Sequence, residues 1–105
     1  MAHRDRPDAA TGCNYLVEIR VHIPPEIPPS RRKELMAAEL LRGRELRSAG
    51  TIQRIWRIPG ALANVGIWQA ADVTELQDRI ASLPLFPYMD TLVTALAEHP
   101  VESQL

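Results

Sequence analysis

Two groups of residues in this chain have the types and spacing for proton chemistry. The first centres on Glu39. Residues 31–49 are rich in Leu, Ala, Arg and Glu and contain no proline, so they read as a helix. At about 100° per residue, Glu39 falls beside Leu35 and Leu46, in a stripe that also holds Ala38 and Ala49. A carboxylate on an apolar stripe is costly unless it is paired or used. Burial raises its pKa toward the range that suits a general base. A structural alternative stands beside this one: a salt bridge to Arg42, three residues on, or a head group held in water at the helix edge. The second group is Glu18, Arg20 and His22, which share the polar face of an alternating segment. A histidine there titrates near neutral pH and can act as acid or base. Its structural alternative is a solvated or interface histidine.

These side chains need elements to carry them. Residues 14–23 alternate Tyr15, Val17, Ile19, Val21 and Ile23 with Leu16, Glu18, Arg20 and His22, which predicts a half-buried strand. PPEIPP at 24–29 holds four prolines and is a stiff connection, neither strand nor helix interior. Ser30 offers a helix N-cap and Gly50 a C-terminal stop. Residues 51–59 and 62–70 predict two strands joined at Pro59-Gly60. Asp72 or Thr74 can cap a second helix through 73–82, where Val73, Leu76, Ile80 and Leu83 recur at helical spacing. LPLFP at 83–87 forbids further helix, and 88–97 predict a fourth strand.

The order β-α-β-β-α-β predicts an α+β, ferredoxin-like fold, with four antiparallel strands and two helices on one sheet face. Residues 1–13 read as a disordered extension, 14–101 as the domain and 102–105 as a polar tail. The other sheet face is then solvated, covered by a second subunit, or built around a ligand. Trp56, Trp68 and Ile55 split between the two faces, so some large apolar surface faces away from the helices.

Composition narrows the function. A net charge of −1 gives no electrostatic footprint for nucleic acid. No apolar run is long enough to span a bilayer, and the first residues lack a secretory apolar region. One cysteine, Cys13, forms no internal disulfide and fits a reducing cytoplasm. His3 and His99 stand apart from other ligand types, so no metal site is expected. A chain this short gains burial by self-association, as a dimer or higher homo-oligomer.

Three segments carry a more specific signal. They are Leu83-Pro84-Leu85-Phe86-Pro87-Tyr88-Met89, then Ile55-Trp56-Arg57-Ile58 followed by Gly60 and Ala63-Asn64, and the ending His99-Pro100. In order and spacing the chain resembles the muconolactone isomerases over about residues 15–101. The resemblance implies the ferredoxin-like fold, association through the sheets and no metal or organic cofactor. It implies an intramolecular isomerase of catechol and β-ketoadipate catabolism, which shifts a proton within a small unsaturated lactone bearing an acetate arm. Such a reaction needs a general acid–base and donors for the developing enolate. Glu39 is the candidate base, and members of the family carry acidic residues at this point of the first helix. His22 is a second catalytic candidate if its sheet face lines the site. Arg57 is the candidate for a carboxylate or lactone oxygen, with an interface ion pair as its alternative. Asn64 is the candidate donor to the lactone carbonyl, with a turn role as its alternative. Arg20 joins the substrate-binding candidates, and Phe86 and Tyr88 shape a pocket wall or an interface. The chain departs from the family at Leu40, where a lysine is common, and at Leu62, where a tyrosine is usual. Both changes remove a proton carrier or donor and suit a larger or less polar substrate. Two further readings follow: an enzyme of secondary metabolism with this fold, or a non-catalytic homologue that binds a small molecule.

Overall fold

The computed structural model describes residues 12–104. Strand β1 (Cys13–Val21) leads through the proline-rich connection to helix α1 (Pro29–Ser48). The hairpin β2 (Ile52–Arg57) and β3 (Ala63–Ala70) follows, then helix α2 (Val73–Ala81). A single 3-10 turn (Phe86–Tyr88) feeds strand β4 (Met89–Leu96), and a short helix α3 (Pro100–Gln104) closes the described chain. The four-stranded sheet runs β2-β3-β1-β4, with every pairing antiparallel. This is the expected βαββαβ order.

Most element ends lie within a residue or two of expectation, and four details differ. Cys13 begins β1 rather than belonging to the extension, because it pairs with Ala70; residues 1–11 lie outside the described residues. Ser30 is not the N-cap of α1. Pro28 holds that position without a side-chain hydrogen bond, and Pro29 is the first helical residue. Proline's fixed φ suits that position, where no backbone donor is needed. Histidine 22 lies beyond the end of β1. The tail is also partly helical, as α3.

The helix ends are well supplied. Gly50 sits just past α1 with φ +85°, a left-handed conformation that favours glycine. The N–H of Ala49 donates to Glu45 O at 2.9 Å, and that of Gly50 to Arg47 O at 3.2 Å. Asp72 caps α2 by accepting from Glu75 N at 2.9 Å, while Glu75 Oε1 accepts from Ala71 N at 2.7 Å.

Both helices pack on one sheet face. Leu46 from α1 and Leu76 and Ile80 from α2 form one core with Tyr15, Val17, Ile19 and Trp68. Directly paired residues share a face. The pairings Tyr15↔Trp68, Val17↔Gly66 and Ile19↔Asn64 therefore put all six on the helix side. The opposite face carries Leu16, Glu18 and Arg20, with Val65 and Ile67 beside them and Leu92 and Leu96 from β4. Leu92 is 64% exposed there. Ile55 and Trp56 pair with Gly66 and Val65, so the two side chains leave opposite faces of β2. Among the described residues no helix is long and apolar enough to cross a membrane.

One close approach shapes the β2 edge. The register shifts between Ile52 and Arg54. A Cβ on Gly66 would lie 2.6 Å from Arg54 O. Only glycine lets the irregular strand come this near, and that position sets where Ile55 and Arg57 reach.

Candidate functional site

A cavity of about 410 Å³ opens between α1 and the β2–β3 hairpin. Its size lies in the usual range for small-molecule sites. Helix α1 contributes Glu39, Leu40, Arg44 and Arg47 to its walls, and the hairpin contributes Ile55, Arg57, Leu62 and Asn64. Leu85 closes it from the segment before β4.

Glu39 is the central acid. It is half-buried, and its Oε1 accepts a hydrogen bond from Leu85 N at 2.9 Å. Burial pushes its pKa above the ordinary value, and the Leu85 N–H pulls part of the way back. The donor is free for a local reason. In Leu83-Pro84-Leu85-Phe86-Pro87 both prolines lack an N–H. Phe86 N donates to Leu83 O at 2.9 Å and Tyr88 N to Leu85 O at 2.8 Å, which closes the 3-10 turn. That leaves the Leu85 N–H pointing at the helix. Its side chain is 1% exposed and anchors the segment.

Arg57 and Asn64 come together because they are paired across the hairpin. The turn between them is held by Ile58 N to Ala63 O at 3.0 Å, with Gly60 at φ +83°. The Oδ1 of Asn64 is buried without a hydrogen-bond partner among the described residues.

The family model for Muconolactone delta-isomerase matches residues 13–102. This chain is 36% identical over 86 residues to the Muconolactone Delta-isomerase of Cupriavidus pinatubonensis, covering 82% of this chain and 94% of that one. It is 36% identical to that of Pseudomonas putida, covering 82% and 90%. A crystal structure of muconolactone isomerase at 3.3 Å resolution superposes with a TM-score of 0.77 at 36% identity, covering 83% of this chain and 91% of that one. The chain belongs to the muconolactone delta-isomerase family.

In this member of the family, the structure brings Glu39, Arg57 and Asn64 to one cavity. The other candidates lie elsewhere. Arg20 is on the uncovered sheet face, where its Nε holds Glu18 Oε2 at 3.0 Å. His22 stands 3.4 Å from Asp90 Oδ2, with both side chains largely in solvent. The cavity is on the helix face, so the charged row of β1 does not line it. Strand alternation distinguishes two faces without saying which one receives a ligand. Phe86 packs against the core and Tyr88 is partly buried in the same 3-10 turn, and neither lines the cavity. Leu85, between the prolines, takes that place. The alternative for Glu39, a pair with Arg42, is not made: Arg42 bonds Glu45 and Ser82 instead.

Three lining residues were missed by reading side-chain chemistry alone: Arg44, Arg47 and Leu85. Arg44 and Arg47 follow Leu40 at i+4 and i+7, a spacing that puts all three on one side of the helix. The two family departures, Leu40 and Leu62, both line the cavity. Among the described residues no three His, Cys, Asp or Glu side chains are grouped to hold a metal ion.

Proposed function

We propose that this protein is an intramolecular isomerase that moves a proton within a small unsaturated lactone acid, with Glu39 as the base. The observation that carries the reading is the Glu39 carboxyl group on a cavity wall, its pKa raised by burial and one oxygen oriented by Leu85 N–H. A carboxylate held this way removes a proton next to the lactone carbonyl and returns it at another carbon, so the enzyme ends unchanged. The enolate that forms between the two steps needs donors. Arg57, and Asn64 through its amide Nδ2, are the groups we assign to it, supported by their pairing on the hairpin and their place in the cavity lining. His22, Arg20, Phe86 and Tyr88 have no part in this reading, since none of them lines the cavity.

A second reading draws on Leu40 and Leu62. With apolar side chains at both positions the cavity favours a larger or less polar substrate than muconolactone. A homologue that binds such a molecule without turning it over is the third. The protein acts as a homo-oligomer in all three, and Leu16, Ile67, Leu92 and Leu96 on the uncovered sheet face are the surface that association would bury. A single cysteine, with no partner in the chain for a disulfide, supports a reducing cytoplasm as its location.

The test is direct. Muconolactone is mixed with the purified protein and its loss followed by ultraviolet absorbance, with Glu39→Gln alongside. Turnover that collapses in the variant supports the isomerase reading. Wild-type protein without turnover moves the assignment to a changed substrate or to binding alone.

A further inference from the structure

We propose that the single carboxylate of the lactone acid is held by Arg44, with Arg47 beside it, while Glu39, Arg57 and Asn64 face the lactone ring at the other end of the cavity. This deepens the isomerase reading and rests on it, because it assigns the anchor and the orientation of the acid that the same site turns over.

The cavity has two ends. The chain reverses at Gly50, so β2 runs back along α1 and Ile52 starts beside the last turn of the helix. A strand rises about 3.3 Å per residue and a helix about 1.5 Å, so Arg57 at the far end of β2 comes level with the middle of α1. Glu39 is there too, joined to Leu85 N at 2.9 Å. Asn64 pairs with Arg57, and Leu62 O accepts from Val21 N at 2.9 Å, so both belong to this end. Arg44 and Arg47 start about 7.5 and 12 Å further along the helix axis from Glu39, toward Ile52.

The second end is cationic and unoccupied. Arg44 and Arg47 are three residues apart, so they are neighbours on one side of the helix, where two like charges repel. Neither guanidinium has an ion pair or hydrogen bond among the described residues. By contrast, Arg42 between them and Leu40 holds Glu45 at 3.1 Å. Arg47 lies in the last turn of α1, where a cation is favourable on its own account. Arg44 has no such explanation. Both are exposed and line the cavity, so a small ligand reaches them. A guanidinium fork accepts a carboxylate bidentately.

Charge then decides the orientation. A substrate carboxylate beside Arg57 would also lie beside the Glu39 carboxylate, and like charges there oppose each other. At the other end the lining offers Arg44 and Arg47 and no acid. The apolar residues fit the same division. Met36, Leu40 and Leu62 line the cavity toward the Glu39 end, where the uncharged ring lies. Between Leu40 and Arg44 the wall is Gly43, and a Cβ there would meet nothing within 4 Å. That gap gives the arm of the acid a path from the ring to the guanidinium.

Calorimetric titration of the full chain at low ionic strength tests this. The probes are the saturated γ-butyrolactone that bears an acetate arm and its methyl ester. Neither has a double bond to shift, so binding is read apart from turnover. The acid is expected to bind about tenfold more tightly than the ester, with the preference shrinking as salt is added. The preference falls in Arg44→Gln and disappears in Arg44→Gln/Arg47→Gln. Arg57→Gln weakens acid and ester alike and keeps the preference, as does Arg32→Gln on the same helix outside the cavity lining. Circular dichroism checks that these exposed substitutions leave the fold intact. Equal affinity for the two probes, binding of neither, a preference that survives in the double variant, or one abolished by Arg57→Gln overturns the proposal. Its failure is separate from that of the isomerase reading. Muconolactone turnover without acid preference leaves the isomerase standing, and acid preference without lactone turnover leaves the carboxylate anchor alone.

Discussion

The carboxylate of Glu39 and the backbone N–H of Leu85 meet at 2.9 Å although they are 46 residues apart in the chain. One comes from the middle of α1 and the other from between two prolines. The contact fixes one oxygen of the acid and leaves the second for the cavity. It also ties the most distinctive segment of the sequence to the carboxyl group proposed as the base.

Replacement of Glu39 by Gln keeps an oxygen for Leu85 N–H and removes the basic carboxylate. With a lactone that the wild type turns over, kcat is expected to fall by about 10²–10⁴-fold, and circular dichroism is expected to be unchanged. Steady-state rates of the two proteins measure it. A variant with full activity would place the base elsewhere.

Stability should depend on pH through the same group. Burial raises the Glu39 pKa above its ordinary 4.5. The folded chain then holds this proton more tightly than the unfolded chain does. The stability from this group is complete below the unfolded value and is lost as pH rises through the folded one. Glu39→Gln stays neutral throughout, so it should melt above the wild type at pH 7, with the gap closing on acidification. Thermal melts of both proteins across that range decide it. A gap that is constant with pH would mean that the carboxyl is not perturbed.

Leu40→Lys places an ammonium group on the cavity wall at a position that is 56% exposed. Stability should change by less than about 0.5 kcal/mol. Muconolactone turnover should rise by about tenfold or more, as expected for an added proton carrier or charge stabiliser. Unchanged kcat/KM would show that the leucine is not what limits the reaction.

Leu85→Ala tests the anchor rather than the donor, since the N–H remains. Removing a side chain that is 1% exposed should cost about 2–5 kcal/mol by chemical denaturation. Gly66→Ala should also destabilise, by about 1–3 kcal/mol, because its Cβ would press on the backbone of β2. A neutral result for Gly66→Ala would mean that the edge strand shifts freely.

Much of the fold was legible because the patterns are unambiguous. Period two from Tyr15 to Val21 and helical spacing from Leu76 to Ile80 each admit one element type. The half-buried place of Glu39 was legible for the same reason, since a carboxylate among Leu35, Ala38 and Leu46 stands out. His22 was not placed, because alternation yields two faces and the cavity's face depends on how α1 sits over the hairpin. Leu85 was invisible to a reading of side chains, because what it offers is a backbone donor. The signal was present in the flanking prolines, which leave few N–H groups in that segment. Arg44 and Arg47 read as ordinary helix-surface charges, and only the packing of α1 against the hairpin puts them on the cavity wall.

Strand β1 is central in the sheet, and its outer neighbour is β4, with Asn14 opposite Leu96 and Val21 opposite Met89. Among the described strands, the first to be synthesised is thus completed by the last. Until β4 emerges, one side of β1 presents unpaired backbone groups to whatever is nearby. A stalled or C-terminally clipped chain would expose that edge with Leu16 beside it, which makes such fragments prone to aggregate. The same adjacency brings the two ends of the domain together, so a circularly permuted gene that joins them and opens the chain at Gly60 is a practical way to separate folding order from folded structure.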